Sequence, residues 1–189
     1  AYVAATRYKL DDYRPYLYVT RDFGDSWVRI DTGIQEDDFT RVIRADPERP
    51  GLLYAGTETG LYVSIDDGAH WLRLNGKSLP PAPVDDIVVQ PRERDVVVAT
   101  HGRSIWVLDN AGFLAQFARV RARKVALFAI LPAPPRLYTG RAYGAGHGLF
   151  RAKNPPPGAM IDFWVRDDAG EGATVSIADS TGFEVRSLS

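Results

Sequence analysis

Apolar positions along the chain come in short runs rich in Val, Ile, Tyr and Trp, and the runs are separated by Gly, Pro and Asp. Outside one short stretch near 111–117 no helical period is sustained, so the chain reads as strands and turns. In the stretch 40–74 the runs predict strands near Thr40–Ala45, Leu53–Thr57, Leu61–Ile65 and Trp71–Leu74. Ala111 to Phe117 predicts a short helix or turn. Arg119, Arg121 and Arg123 then alternate with Val120 and Ala122, as on a strand with one wet face. A basic ligand patch is the alternative, and charges guarding an edge strand are the favoured one. Further on, Ile161 to Val165 and Ala173 to Asp179 read as strands, and Ser180-Thr181-Gly182 supplies a turn before Phe183-Glu184-Val185, an antiparallel signature. Leu131 to Pro157 is rich in Pro and Gly and predicts a long loop.

The runs repeat. Thr20-Arg21-Asp22-Phe23-Gly24-Asp25-Ser26-Trp27 matches Ser64-Ile65-Asp66-Asp67-Gly68-Ala69-His70-Trp71, and 66 − 22 gives a spacing of 44 residues. The same shift lays Leu17-Tyr18-Val19 on Leu61-Tyr62-Val63 and then on Ile105-Trp106-Val107. It also lays Val42-Ile43 and Pro47 on Asp86-Ile87 and Pro91, and Ala55-Gly56-Thr57 on Ala99-Thr100-His101. The third copy loses the octet. Four short strands in about 44 residues is the size of one propeller blade.

Within the octet, Asp66 is expected to accept hydrogen bonds from the turn between the third and fourth strands, Gly68 to supply a positive φ, and Trp71 to fold back over the hairpin. Asp22, Gly24 and Trp27 take the same parts one repeat earlier. This octet resembles the Asp-box, or bacterial neuraminidase repeat, of sialidases, some endoglucanases and sortilin-type receptors. The stretch Val98 to Asp109 looks like the last blade of bacterial sortilin-like proteins labelled glycosyl hydrolases, in which a β-sandwich follows. Asn154-Pro155-Pro156-Pro157-Gly158-Ala159 leading into Ile161-Asp162-Phe163-Trp164-Val165 is similar to the opening of that sandwich. The resemblance implies an all-β chain: blades of an Asp-box β-propeller over 1–110, a connector over 111–123, and part of an antiparallel Ig-like sandwich over 124–189. It also implies an exported, secreted or periplasmic bacterial protein. Tyr2 to Thr6 reads as a strand without lead-in, so blades upstream are expected as partners of this piece.

Composition narrows the chemistry. Apolar residues at 45% suffice for a sizeable core. Lys+Arg 23 against Asp+Glu 24 leaves a formal charge of -1, so no global field draws the chain to nucleic acid or anionic lipid. The longest apolar stretch, Val125 to Leu131, is far short of a membrane helix, and no membrane insertion is expected. Without cysteine there are no disulfides or thiolate metal sites, though this leaves the compartment open. His70, His101 and His147 lack metal-ligand spacing, and Gly140, Gly144, Gly146 and Gly148 precede no helix that could cradle phosphate, so neither metal nor cofactor is expected.

In a propeller the loops joining strands two and three emerge with the inter-blade links on one face. Here these are Arg7–Tyr16, Asp31–Asp38, Thr57–Gly60, Asn75–Pro83 and His101–Ser104. Against Glu58-Thr59-Gly60 in the second unit, the first spends Lys9-Leu10-Asp11-Asp12-Tyr13-Arg14-Pro15, and Tyr8, Tyr13 and Tyr16 there suit stacking on a sugar or peptide. Asp22 and Asp66 are read as structural rather than catalytic, since the turn uses their lone pairs. Asp85 and Asp86 open the innermost strand of the third unit, close to His101 and Arg103. Strand alternation sends the two carboxylates apart, so they are not a glycosidase pair. The favoured reading has Asp86 binding His101 or Arg103. No set matches the three arginines and tyrosine of a sialidase. A glycan-binding propeller, a peptide- or protein-binding propeller without chemistry, and a pure scaffold all remain open, with binding preferred over catalysis.

Overall fold

A computed structural model describes residues 1–74, 79–132, 158–166 and 174–188. The described chain is all-β apart from one helix and one 3-10 turn, and its strands form several small antiparallel sheets. Strands β1 (Tyr2–Arg7), β2 (Asp12–Val19) and β3 (Val28–Arg29) make the first sheet. The second is a four-stranded meander of β4 (Thr40–Ala45), β5 (Leu53–Thr57), β6 (Leu61–Ser64) and β7 (Leu72–Arg73). The third comprises β8 (Val84–Gln90), β9 (Asp95–Thr100) and β10 (Ile105–Leu108).

These three sheets stack face on face, because β4, β5 and β6 of the middle one bury apolar residues on both sides. Leu53, Ala55 and Tyr62 pack on Leu17 and Val19 of the first sheet, with Trp71 and Ile30 closing the layer. Tyr54, Leu61 and Val63 on the other face pack on Val84, Ile87, Val96 and Val98. Thr40 ties two innermost strands, its buried hydroxyl donating to Ala5 O and Tyr16 O at 3.0 Å each. In β4 and β8 the register slips by one near the strand's start, between Thr40 and Val42 and between Val84 and Asp86, whereas between Ala5 and Arg7 of β1 the extra residues lie on the β2 side.

Helix α1 (Gly112–Val120) follows. It takes in Arg119 and ends at Arg121, so the expected strand over 119–123 is not formed. The apolar residues Phe113, Phe117 and Val120 recur at helical spacing and bury against Phe128 and Trp164, a gain that outweighs a two-residue alternation of arginines. β11 (Val125–Leu127) then pairs with β12 (Phe163–Val165), and β13 (Val175–Ala178) with β14 (Glu184–Leu188), both antiparallel. The turn at 180–182 is closed by Asp179, whose carboxylate accepts from Thr181 and Phe183 amides. Residues 133–157, including His147 and the glycines from Gly140 to Gly148, lie outside the described residues.

Candidate functional site

The two octets fold into the same turn. In the second, Asp66 Oδ1 accepts from His70 N at 2.9 Å and from the Ser64 hydroxyl at 2.8 Å, while Ser64 Oγ accepts from Gly68 N at 2.9 Å. In the first, Asp22, Ser26, Thr20 and Gly24 reproduce this with Ser26 N at 3.0 Å, the Thr20 hydroxyl at 2.8 Å and Gly24 N at 2.9 Å. Each turn needs two left-handed residues in succession, Phe23 and Gly24 or Asp67 and Gly68, and Gly68 also lies against Ile30, where a Cβ would stand 2.6 Å from Cδ1. Hydrogen bonds from the Ser26 hydroxyl, the Ser26 amide and the Thr20 hydroxyl hold the Asp22 carboxyl below its ordinary range. For Asp66, burial pushes upward, and the bonds from His70 and Ser64 outweigh it.

Trp71 does more than cover its hairpin. Its indole N–H donates to Ile30 O and its amide to Thr32 O, which seats it on the preceding sheet. It is 2% exposed, whereas Trp27, in the equivalent place, is 45% exposed. The turn residue Asp67 likewise reaches back to Tyr2 and Arg21 of the first sheet.

At the opposite end of the sheets a row of charges crosses from the second to the third. Arg41 holds Glu58 at 2.6 Å and Asp85 at 2.8 Å, and His101 Nδ1 lies 3.3 Å from Asp85 Oδ2. Asp86 turns instead to Arg44 at 2.7 Å. The expected partnership of Asp86 with His101 or Arg103 is therefore corrected: the register slip between Val84 and Asp86 makes Asp85 the residue that meets His101. The Arg103 side chain makes no ion pair among the described residues; its carbonyl accepts from the Trp106 indole at 2.7 Å.

Beside Arg41 stands an aromatic group. Phe39 is buried under the Arg41 guanidinium, 5.4 Å from the ring centroid, and Tyr8 stacks on it at 4.9 Å with Tyr13 tilted at 6.2 Å. Tyr13 keeps an exposed face and, with Arg7, Arg14, Asp12, Asp37 and Glu36, lines an open hollow of about 680 Å³. Tyr16 is not available for stacking on a ligand. It is buried, its ring carries Arg29 at 4.9 Å, and its hydroxyl donates to Asp12 at 2.7 Å. Asp12 is also gripped by Arg14, and the Arg14 guanidinium and Tyr16 hydroxyl together hold its carboxyl far below the usual value.

One residue of this end escaped the sequence reading. Asp38 is fully buried and accepts from the Thr57 hydroxyl at 2.8 Å, the Thr59 amide at 2.9 Å, the Thr59 hydroxyl at 2.7 Å and the Tyr62 hydroxyl at 3.2 Å. In sequence it sits in the acidic run Glu36-Asp37-Asp38, which looks like a solvated loop; the Thr57-x-Thr59 pair that meets it was the available signal. Among the described residues no group of three or more His, Cys, Asp or Glu is arranged to hold a metal. No helix among them is long and apolar enough to cross a membrane. Neither a protein-family model nor a curated protein matches the chain.

Proposed function

We propose that the three stacked sheets are successive blades of an Asp-box β-propeller, part of an exported bacterial protein, and that its loop end binds a glycan. The blade reading rests on the outer faces. Leu61 and Val63 are 3% and 4% exposed in the second sheet, while Ile105 and Val107, which hold their places in the third, are 66% and 51% exposed. Further sheets of the same repeat would cover these residues on one side and Trp27 on the other. β11 to β14 are then strands of the sandwich that follows.

The observation that carries the binding reading is the pairing of a half-exposed Tyr13, backed by Phe39 and Tyr8, with the row Glu58, Arg41, Asp85 and His101. An aromatic face beside fixed donors and acceptors is what a sugar ring needs: apolar C–H groups on one side, hydroxyls on the other. Binding without bond cleavage is proposed, because the two carboxylates of that row, Glu58 and Asp85, are both held by the Arg41 guanidinium.

Titration calorimetry of the chain against oligosaccharide pools tests this. A saturable heat with one pool, weakened about tenfold by Tyr13→Ala at unchanged melting temperature, is the expected result. Absence of binding to every pool, or displacement of a sugar only by extended peptides, would move the loop end to peptide recognition.

A further inference from the structure

At the end of the sheets away from that rim, the turn 46–52, the turn 91–94 and the flank of α1 line a half-open cavity of about 230 Å³. Tyr54 forms part of its wall. The residue is 1% exposed, yet its hydroxyl has no hydrogen-bond partner among the described residues and is not sealed off, so it opens on the cavity. Burial, assisted by Asp46, pushes the phenol up, so it remains a neutral donor at any physiological pH.

The guanidinium groups around it are in excess. Arg94 is paired with Glu48 at 3.1 Å and lies across the start of α1, where a Cβ on Gly112 would stand 2.8 Å from its Cδ. The Asp46 carboxylate is engaged by the amides of Glu48 at 3.0 Å and Arg49 at 2.8 Å. Arg49 and Arg119 line the same cavity and form no ion pair among the described residues. Arg49, Arg94 and Arg119 against Asp46 and Glu48 leave this half-open space with an excess of positive charge, and two guanidiniums without an ion pair beside the Tyr54 hydroxyl are complementary to an oxyanion.

We propose that this cavity binds a small molecule bearing a carboxylate or phosphate, gripped by Arg49 and Arg119 and accepting a hydrogen bond from the Tyr54 hydroxyl. The space is below the size that holds drug-like ligands, which limits the occupant to a compact anion, and Val89 and Ala115 give it an apolar wall. The proposal is independent of the reading of the rim.

The test is a ¹H–¹⁵N NMR titration of the whole chain with inorganic phosphate and, separately, with benzoate, at constant chloride. Expected are saturable shifts at the Ala111 and Gly112 amides with at least one of the two, which identifies the head group. Affinity should fall about tenfold in Tyr54→Phe and be lost in Arg49→Gln/Arg119→Gln, with Tyr13→Ala without effect. No saturation by either anion up to about 10 mM overturns the proposal. So does unchanged affinity in either cavity variant; Tyr54→Phe keeps the packing and serves if the double variant fails to fold.

Discussion

Gly56→Ala is the most direct probe of how closely the second and third sheets approach. A Cβ built there would lie 2.5 Å from Val84 Cγ1, 2.7 Å from Val42 Cγ1 and 2.8 Å from Val84 Cβ. Ordinary carbon contacts are about 3.5–4.0 Å, so the neighbours must retreat by about 1 Å. Both valines are buried, Val84 completely, and neither has an open direction to move in. Overpacking of this kind costs about 1–3 kcal/mol, and the reduced freedom of the unfolded chain returns about 0.4–1 kcal/mol, so a net loss of about 1–2 kcal/mol is expected. Urea denaturation reads it as a lower midpoint at unchanged slope. Val84→Ala removes the nearest of the three atoms. The double variant should therefore be more stable than the sum of the single losses by about 1 kcal/mol. Losses that add to within about 0.5 kcal/mol would refute the close-approach argument.

Trp71→Ala should cost about 3–5 kcal/mol because it empties the layer between two sheets and orphans Ile30 O, whereas Trp27→Ala should cost far less; equal losses by thermal denaturation would contradict the packing described. Asp38→Ala leaves the Thr57, Thr59 and Tyr62 hydroxyls short of their acceptor and should lower stability by about 2–4 kcal/mol, with hydrogen exchange rising first in 57–62. Asp22 and Asp66 have folded pKa values below the ordinary 3.8, so their contribution is present above that value and is lost as pH falls through the lower folded values. Acid titration of stability below about pH 4 should accordingly be shallower in Asp22→Asn/Asp66→Asn, and an unchanged slope would assign the acid sensitivity elsewhere.

The strands of the second sheet were legible from pattern alone because each is a short β-branched or aromatic run bounded by Gly, Pro or Asp. The octet turns were legible for a different reason: the carboxylate and hydroxyl bonds that close them run within five residues, so local sequence encodes them. Long-range pairing was less visible. The constant shift of 44 lays Thr57 on His101, but β9 slips by one, so that Gly56 corresponds to Ala99, which pairs with Ile105 as Gly56 pairs with Leu61. Thr57 then corresponds to Thr100, each bonding the carbonyl of Gly60 or Ser104. A one-residue difference in the preceding turn leaves no mark in an alignment of small residues. The bulge that exchanges Asp85 for Asp86, and the burial of Asp38 within an acidic run, are likewise set by register and by what lies across the sheet.

Once that slip is allowed for, the rim shows a charge inversion on a constant backbone. Glu58 N donates to Phe39 O at 3.0 Å and His101 N to Pro83 O at 2.9 Å, so the two residues occupy one corner of successive sheets. Arg41 and Asp85 are equivalent in the same sense, each being the extra residue of its bulge. The second sheet thus sets the cation Arg41 against Glu58, and the third sets an anion, Asp85, in the place of Arg41 with His101 beside it. The reversal is what lets Arg41 reach across to Asp85, since two arginines there would repel. These groups are largely solvent-exposed and contribute little beside the apolar layers beneath them. The burden of folding falls on the layers and the turns, so charges at this end can be exchanged between successive sheets at little cost in stability.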